Sequence, residues 1–343
     1  VPQLSFIRSN SPVRFFPSFI RAGIHLQHCS KFPFILLLTF LLLAASHTLS
    51  QEKMQGFRNS ESDERAATVL KVNVNEVDLA FAVTDRHHRW ITNLSEDEVL
   101  LRDNGEPPDS VRLFQSRQGL PLRLGLLVDT SDSVVLQFGF EKDAAALFIR
   151  QMVDPAKDQA FVLGFNQGIT LTQDFTADPQ ALASAVYRLH LAGSTAVYDA
   201  LDFGCRKIME HDAGGSSRRV LVLLTDGEDN SSHLMSDQLV ENILRCNVTV
   251  IVLHTDPQPN ETNPQYKILK KLTSETGGQI LWAGNKKQMK KAFAELSEQL
   301  RNYYFLAYQP AQFKNDGSYR KVELKTTRRG THIICRRGYY AKR

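Results

Sequence analysis

The chain has 343 residues, with 41 Lys and Arg against 37 Asp and Glu. Residues 1–50 carry Arg8, Arg14, Arg21 and Lys31 and no acid, so the remainder is electrically neutral. That balance excludes a nucleic-acid binder driven by overall charge, and an ordinary hydrophobic fraction of 42% excludes wholesale disorder.

Phe34 to Ala45 is a largely apolar run of 12 residues, interrupted by Thr39, with Arg21 and Lys31 ahead of it and Thr48-Leu49-Ser50 behind. A membrane-spanning helix needs about 20 residues, whereas a secretory hydrophobic region needs roughly 7–15 between basic and small residues. Residues 1–50 are therefore expected to be a signal peptide cleaved before Gln51, or else a retained N-terminal anchor, and the protein to be secreted, periplasmic or cell-surface. The polar, aperiodic stretch 51–66 is expected to be a linker.

From residue 67 the pattern changes to two-residue alternation. Val72 and Val74, then Val77, Leu79, Phe81 and Val83, each keep one parity, as half-buried strands do. Ser95-Glu96-Asp97-Glu98 has the form of a capping box. Val99–Arg102, the turn Asp103-Asn104-Gly105 and Val111–Phe114 predict a hairpin. Residues 67–118 are thus expected to form a small β module.

Residues 119–302 differ in kind. The runs Leu122–Val128, Ala160–Phe165, Val220–Leu224 and Val248–Leu253 are nearly continuous in apolar residues, as strands buried on both faces of a parallel sheet are. Helical periodicity marks Glu141–Met152, Pro179–Leu189, Val197–Met209, Asp237–Arg245 and a last helix with Met289, Phe293, Leu296 and Leu300 on one stripe. The fold class expected is α/β, a doubly wound, mostly parallel sheet. After Tyr303 the alternation returns at Tyr304, Leu306 and Tyr308, then at Val322 and Leu324, then at Ile333. Too few strands remain at 303–343 for an independent sandwich, so they are expected to pair with the 67–118 module, making the α/β domain an insertion.

Two buried strands end in chemistry-bearing residues. The first runs into Asp129-Thr130-Ser131-Asp132-Ser133 and another into Thr225-Asp226-Gly227-Glu228-Asp229, while Gly193-Ser194-Thr195 opens a helix between them. In an open parallel sheet, ligands bind outside the carboxyl ends of strands. Two carboxylates and three hydroxyls, from Asp129, Ser131, Ser133, Thr195 and Asp226, form an oxygen-only set suited to a hard cation, Mg2+ or Mn2+ rather than a large Ca2+ cage. Neutral hydroxyl ligands leave such a cation short of negative charge and receptive to an external carboxylate. Asp129 and Asp226 then act through water and by orienting the hydroxyls.

These residues resemble the metal-ion-dependent adhesion site of the von Willebrand factor type A domain: D-x-S-x-S at Asp129, Ser131 and Ser133, the loop Thr at Thr195, and the Asp of T-D-G at Asp226. The resemblance covers 119–302. The flanking modules and the ending Arg337-Gly338-Tyr339-Tyr340 further resemble secreted "VWFA-related" proteins of acidobacterial type. Asp132 departs from the pattern, where Gly is commoner, and adds a charge beside the site. The resemblance implies a von Willebrand A, Rossmann-like fold, no catalytic residues, and a cation-dependent adhesion module whose protein ligand presents an Asp or Glu carboxylate.

Other readings weigh less. A Mg2+-dependent phosphohydrolase with Asp129 as nucleophile lacks an acid two positions on and lacks a placed Lys or His. An envelope scaffold with a purely structural metal is the remaining alternative. Glu228, Asp229 and Asp132 read as solvated turn residues, and Asp199 as a residue near its helix start that acts indirectly. His87-His88 reads as a solvated turn and His254 as structural. The tail 313–343 holds ten Lys and Arg against Asp316 and Glu323, either a solvated strand face or a patch for an acidic surface polymer. Cys205, Cys246 and Cys335 read as buried free thiols in preference to one disulfide plus a free thiol.

Overall fold

A computed structural model describes residues 76–116, 120–212 and 217–341. The expected leader, the linker and the strand residues Val72 and Val74 lie outside the described residues. Among those described, no helix is long and apolar enough to cross a membrane.

The elements in chain order are β1 (Val77–Asp85), β2 (Val99–Asp103), β3 (Ser110–Ser116), β4 (Leu122–Asp129), α1 (Phe138–Met152), β5 (Gln159–Phe165), β6 (Ile169–Thr176), α2 (Pro179–Tyr187), α3 (Val197–His211), β7 (Arg218–Thr225), α4 (Ser236–Cys246), β8 (Thr249–His254), α5 (Pro264–Thr276), β9 (Ile280–Trp282), α6 (Lys286–Arg301), β10 (Tyr304–Gln309), β11 (Tyr319–Thr326), β12 (Thr331–Cys335) and β13 (Gly338–Tyr340). Helix starts follow local chemistry. Asp178 and Asn263 each cap a helix with Pro in its first turn, and Asn285 accepts from Lys287 N and Gln288 N.

The six-stranded sheet runs β6-β5-β4-β7-β8-β9, parallel except where β6 pairs antiparallel with β5. Its central strands are buried on both faces because helices cover both. Phe148, Leu182 and Met289 bring α1, α2 and α6 onto one face; Leu201, Leu239 and Leu269 bring α3, α4 and α5 onto the other. This is the doubly wound, mostly parallel architecture.

The remaining strands form two small sheets, β12-β1-β10-β3 and β13-β11-β2. Their shared core is Leu79, Phe81, Tyr304, Leu306, Tyr308, Val322 and Tyr339, with Phe81 stacked on Tyr304 at 5.1 Å. The hairpin expected over 99–114 does not form. The turn itself is present, with Asn104 and Gly105 at positive φ and Asp103 bridged to Glu106. However, Pro107 and Pro108 follow at once and carry no N–H to continue the ladder. β2 pairs with β11 and β3 with β10 instead.

Cys205 of α3 and Cys246 of α4 are joined in a disulfide, Cα atoms 5.9 Å apart, which corrects the preference for free thiols. Cys335 keeps a free thiol that burial pushes up to about 11. Of the ten tail cations, Arg320, Arg328 and Arg336 bond internally, to Asp103, Glu98 and the Asp78 carbonyl.

Candidate metal centre

β4 is apolar and buried from Leu124 to Val128, so its last residue, Asp129, arrives in the interior at 1% exposure. The carboxylate is met at once by its own chain: Ser131 donates its N–H (2.9 Å) and its hydroxyl (2.6 Å) to Asp129 Oδ1. Across the sheet, the Thr225 hydroxyl at the end of β7 donates to Oδ2 at 2.7 Å. Ser131 Oγ lies 3.0 Å from Ser133 Oγ, and Ser133 is exposed, so the two hydroxyls lead from the buried carboxylate toward solvent.

Two further loops are sewn to this one. Ala192 N donates to the Thr130 carbonyl (2.8 Å) and Asp132 N to the Gly193 carbonyl (3.0 Å), which fixes the loop that carries Thr195. Thr195, 2% exposed, donates its N–H to Asn230 Oδ1 (2.9 Å), and its carbonyl accepts from Asn230 N and Ser231 N. Asp226 is half-buried directly after β7, and its Oδ1 accepts from Glu228 N at 3.2 Å. Asp129, Ser131 and Ser133 are thus hydrogen-bonded as a group, whereas Thr195 and Asp226 enter on the flanking loops.

The electrostatics are those of crowded, dehydrated acids. Burial pushes the Asp129 carboxyl up to about 6, and the Asp226 charge acts in the same direction against the Ser131 and Thr225 hydrogen bonds. Glu141, in the first turn of α1, is pushed up to about 8 by burial and by the charges of Asp129 and Asp226. Among the described residues no three His, Cys, Asp or Glu side chains gather as a metal site; the set here consists of two carboxylates with three hydroxyls.

Neighbouring residues sort into supports. Asp229 is not a solvated turn residue: its Oδ1 accepts from Val197 N (3.0 Å) at the start of α3 and from the Ser232 hydroxyl (2.7 Å). Asp199 accepts from His233 N and Leu234 N, pinning the same loop from α3. Asp132 and Glu228 are exposed. His254, at 3% exposure, packs edge-on against Tyr266 and Trp282, with ring centroids 5.7 and 5.3 Å away, and burial lowers its pKa. Gly227 has φ +88, and a Cβ there would stand 2.8 Å from His254 Nε2, so the turn after Asp226 accepts only glycine without rearrangement. A cleft of about 230 Å³, lined by Ser133, Asp226, Glu228, His254, Asp256 and Tyr266, opens beside the serines.

Sequence reasoning missed the roles of Thr225, Asn230 and Glu141. Glu141 did carry a signal: it extends the buried Ala145–Phe148–Ile149 stripe back by one helical turn, a position where a charge is anomalous.

A family model described as "von Willebrand factor type A domain" matches residues 124–297. No curated protein matches the chain. Among solved structures, a von Willebrand factor type A protein from Catenulispora acidiphila is 14% identical, covering 79% of this chain and 74% of its own at a TM-score of 0.44. The conserved hypothetical protein BatB from Bacteroides thetaiotaomicron is 14% identical, covering 54% and 100%, TM-score 0.42. The PilB minor pilin from Streptococcus sanguinis is 13% identical, covering 57% and 63%, TM-score 0.41.

Proposed function

Because the chain belongs to the von Willebrand factor type A domain family over residues 124–297, we propose that it is a protein-interaction module that binds its partner through a divalent cation. Asp129, Ser131, Ser133, Thr195 and Asp226 would hold Mg2+ or Mn2+, and the ion would supply a coordination position for an Asp or Glu carboxylate of the partner. The donor set fits such an ion, since every convergent group is a hard oxygen. The observation that carries the reading is the buried Asp129 carboxylate, gripped by Ser131 and Thr225 beneath two hydroxyls that reach the surface at Ser133. Burial and Asp226 both disfavour the Asp129 charge, and a bound cation reverses that penalty. The loop Asp229–Met235, held to Asp199 through His233 N and Leu234 N, would frame the partner.

The module would act outside the cytoplasm, in the manner of the secreted "VWFA-related" type. The apolar run Phe34–Ala45 supports export, and the Cys205–Cys246 bond suits an oxidising compartment.

A displayed peptide library selected on the Mn2+-loaded protein tests the mechanism. Bound peptides should carry Asp or Glu and leave on addition of EDTA. Thr195→Ala should weaken both Mn2+ and peptide binding by about 10–100-fold, and Asp129→Ala should abolish them. Peptides retained equally in EDTA and in both variants would end this reading.

A further inference from the structure

The cleft of about 230 Å³ beside the candidate centre shares Ser133 and Asp226 with it. Its charge is acidic throughout: Glu228 and Asp256 line it together with Asp226, and no Lys or Arg does. The sheet explains the arrangement. β7 and β8 are parallel neighbours with Thr225 opposite His254, so both strands release their chains at one end, and Asp226 and Asp256 follow at once.

These acids are not neutralised within the chain. Among the described residues, Asp226 and Asp256 accept only from the backbone of their own turns, Glu228 N at 3.2 Å and Gln258 N at 2.8 Å. Glu228 is exposed. Lys270, over the Tyr266 ring of the same wall at 5.9 Å, is paired with Glu261 instead. An independent sign of a missing ligand lies in the wall between the strand ends. His254 is 3% exposed, and its buried Nδ1 has no partner. Native interiors satisfy nearly all such atoms. Burial lowers the pKa of His254, so the ring is uncharged at neutral pH and keeps a lone pair for an N–H donor.

The chemistry points to an organic cation in preference to a second metal. The carboxylates line the cleft without gathering as a metal site, since no three His, Cys, Asp or Glu side chains do so among the described residues. A guanidinium or ammonium on a long stem can meet dispersed acceptors one at a time, and a guanidinium brings five N–H donors and a flat face suited to an aromatic wall such as Tyr266.

We propose that this cleft selects a partner segment in which an Arg or Lys side chain neighbours the acid that meets the ion. The inference rests on the cation-dependent reading above and narrows its partner. Because Ser133 and Asp226 belong to both centre and cleft, the acid and the base come from one short stretch of the partner. Asp226 serves the ion, which leaves Glu228 and Asp256 for the base. A segment with a second acid in place of the base is repelled by the same residues.

A displayed library of random peptides, selected on the Mn2+-loaded protein and sequenced, tests this. On the wild type, Arg or Lys should be enriched about 10-fold beside the recovered Asp or Glu, the discrimination expected of one charge-assisted contact. On Glu228→Gln/Asp256→Asn, which is nearly isosteric and whose folding circular dichroism melts would confirm, acid-bearing peptides should still be recovered and released by EDTA, but the basic enrichment should fall to within about twofold of background. Acid-bearing, EDTA-released peptides with no enriched base would overturn the cleft assignment and leave the ion reading intact. Basic enrichment unchanged in the double variant would overturn it as well, since the base would then be read elsewhere. Basic peptides retained in EDTA by the wild type and lost from the double variant would support the cleft against the ion reading. Recovery of no peptide above background would overturn both.

Discussion

Asp103 shows how much one buried carboxylate can organise. Its Oδ1 accepts from Arg320 Nε at 2.7 Å, and its Oδ2 accepts from the hydroxyls of Tyr308 (2.8 Å) and Tyr339 (2.7 Å). Arg320 and Tyr339 belong to the β13-β11-β2 sheet with Asp103, while Tyr308 belongs to the other, so one side chain bolts the two sheets together. The pair is almost dry, with side chains 8% and 0% exposed. Asp103→Ala strands a guanidinium and two hydroxyls, and should cost about 3–5 kcal/mol in urea unfolding. Glu141 has the opposite character, a carboxyl whose charge its surroundings resist. Its pKa rises from 4.5 to about 8 on folding, so the native chain keeps a proton that the unfolded chain releases across that window. Stability of the metal-free protein should therefore fall as pH rises from about 4.5 to 8. Thermal melts in EDTA should show this decline in the wild type and a markedly flatter profile in Glu141→Gln.

The helices and strands differ in what holds them. α3 and α4 pack side by side and are cross-linked by Cys205–Cys246, which closes a 41-residue separation. Removing the bond as Cys205→Ala/Cys246→Ala should lower stability by about 2–4 kcal/mol, with Mn2+ binding preserved because neither cysteine touches the candidate centre. Legibility in the sequence also varied by element. β4, β5, β7 and β8 were readable because burial on both faces demands unbroken apolar runs. β6 was not, because an edge strand half open to solvent reads Ile-Thr-Leu-Thr-Gln-Asp-Phe. α5 escaped because its buried stripe of Tyr266, Leu269, Leu272, Thr273 and Thr276 includes two threonines among lysines. Thr276 is tolerated there since its hydroxyl bonds the Leu272 carbonyl and accepts from Val250 N. The candidate site divides in the same way. D-x-S-x-S is a local pattern whose bonds span two residues, so it could be read directly. The grip of Thr225 on Asp129 spans 96 residues and that of Asn230 on Thr195 spans 35, and only the assembled sheet brings them together.

At the scale of the whole described fold, the β module and the candidate centre occupy opposite ends of the parallel sheet. Asp129, Thr225 and His254 all stand at the carboxyl ends of their strands. The module instead meets the C-terminal ends of α4 and α5. Arg337 N donates to the Glu275 carbonyl (3.0 Å), the Tyr319 hydroxyl donates to Glu275 Oε2 (3.2 Å), Arg336 donates to Asn247 Oδ1, and Arg245 lies over the Tyr340 ring at 4.2 Å. Gly277 is the pivot of this contact. It ends α5 in the left-handed region at φ +75, and a Cβ there would come within 2.5 Å of Arg336 N. Backbone faces backbone at that point, so no side chain can swing aside to make room. Gly277→Ala should therefore cost about 1–3 kcal/mol from overpacking, with the left-handed backbone adding strain. The damage should be confined to the docked end. Hydrogen exchange should quicken at Ile333–Arg337, while Mn2+ affinity stays within about twofold of wild type, since sites far apart with no shared partners act independently. A parallel loss of Mn2+ affinity would instead mean that the sheet transmits strain from the module to the centre.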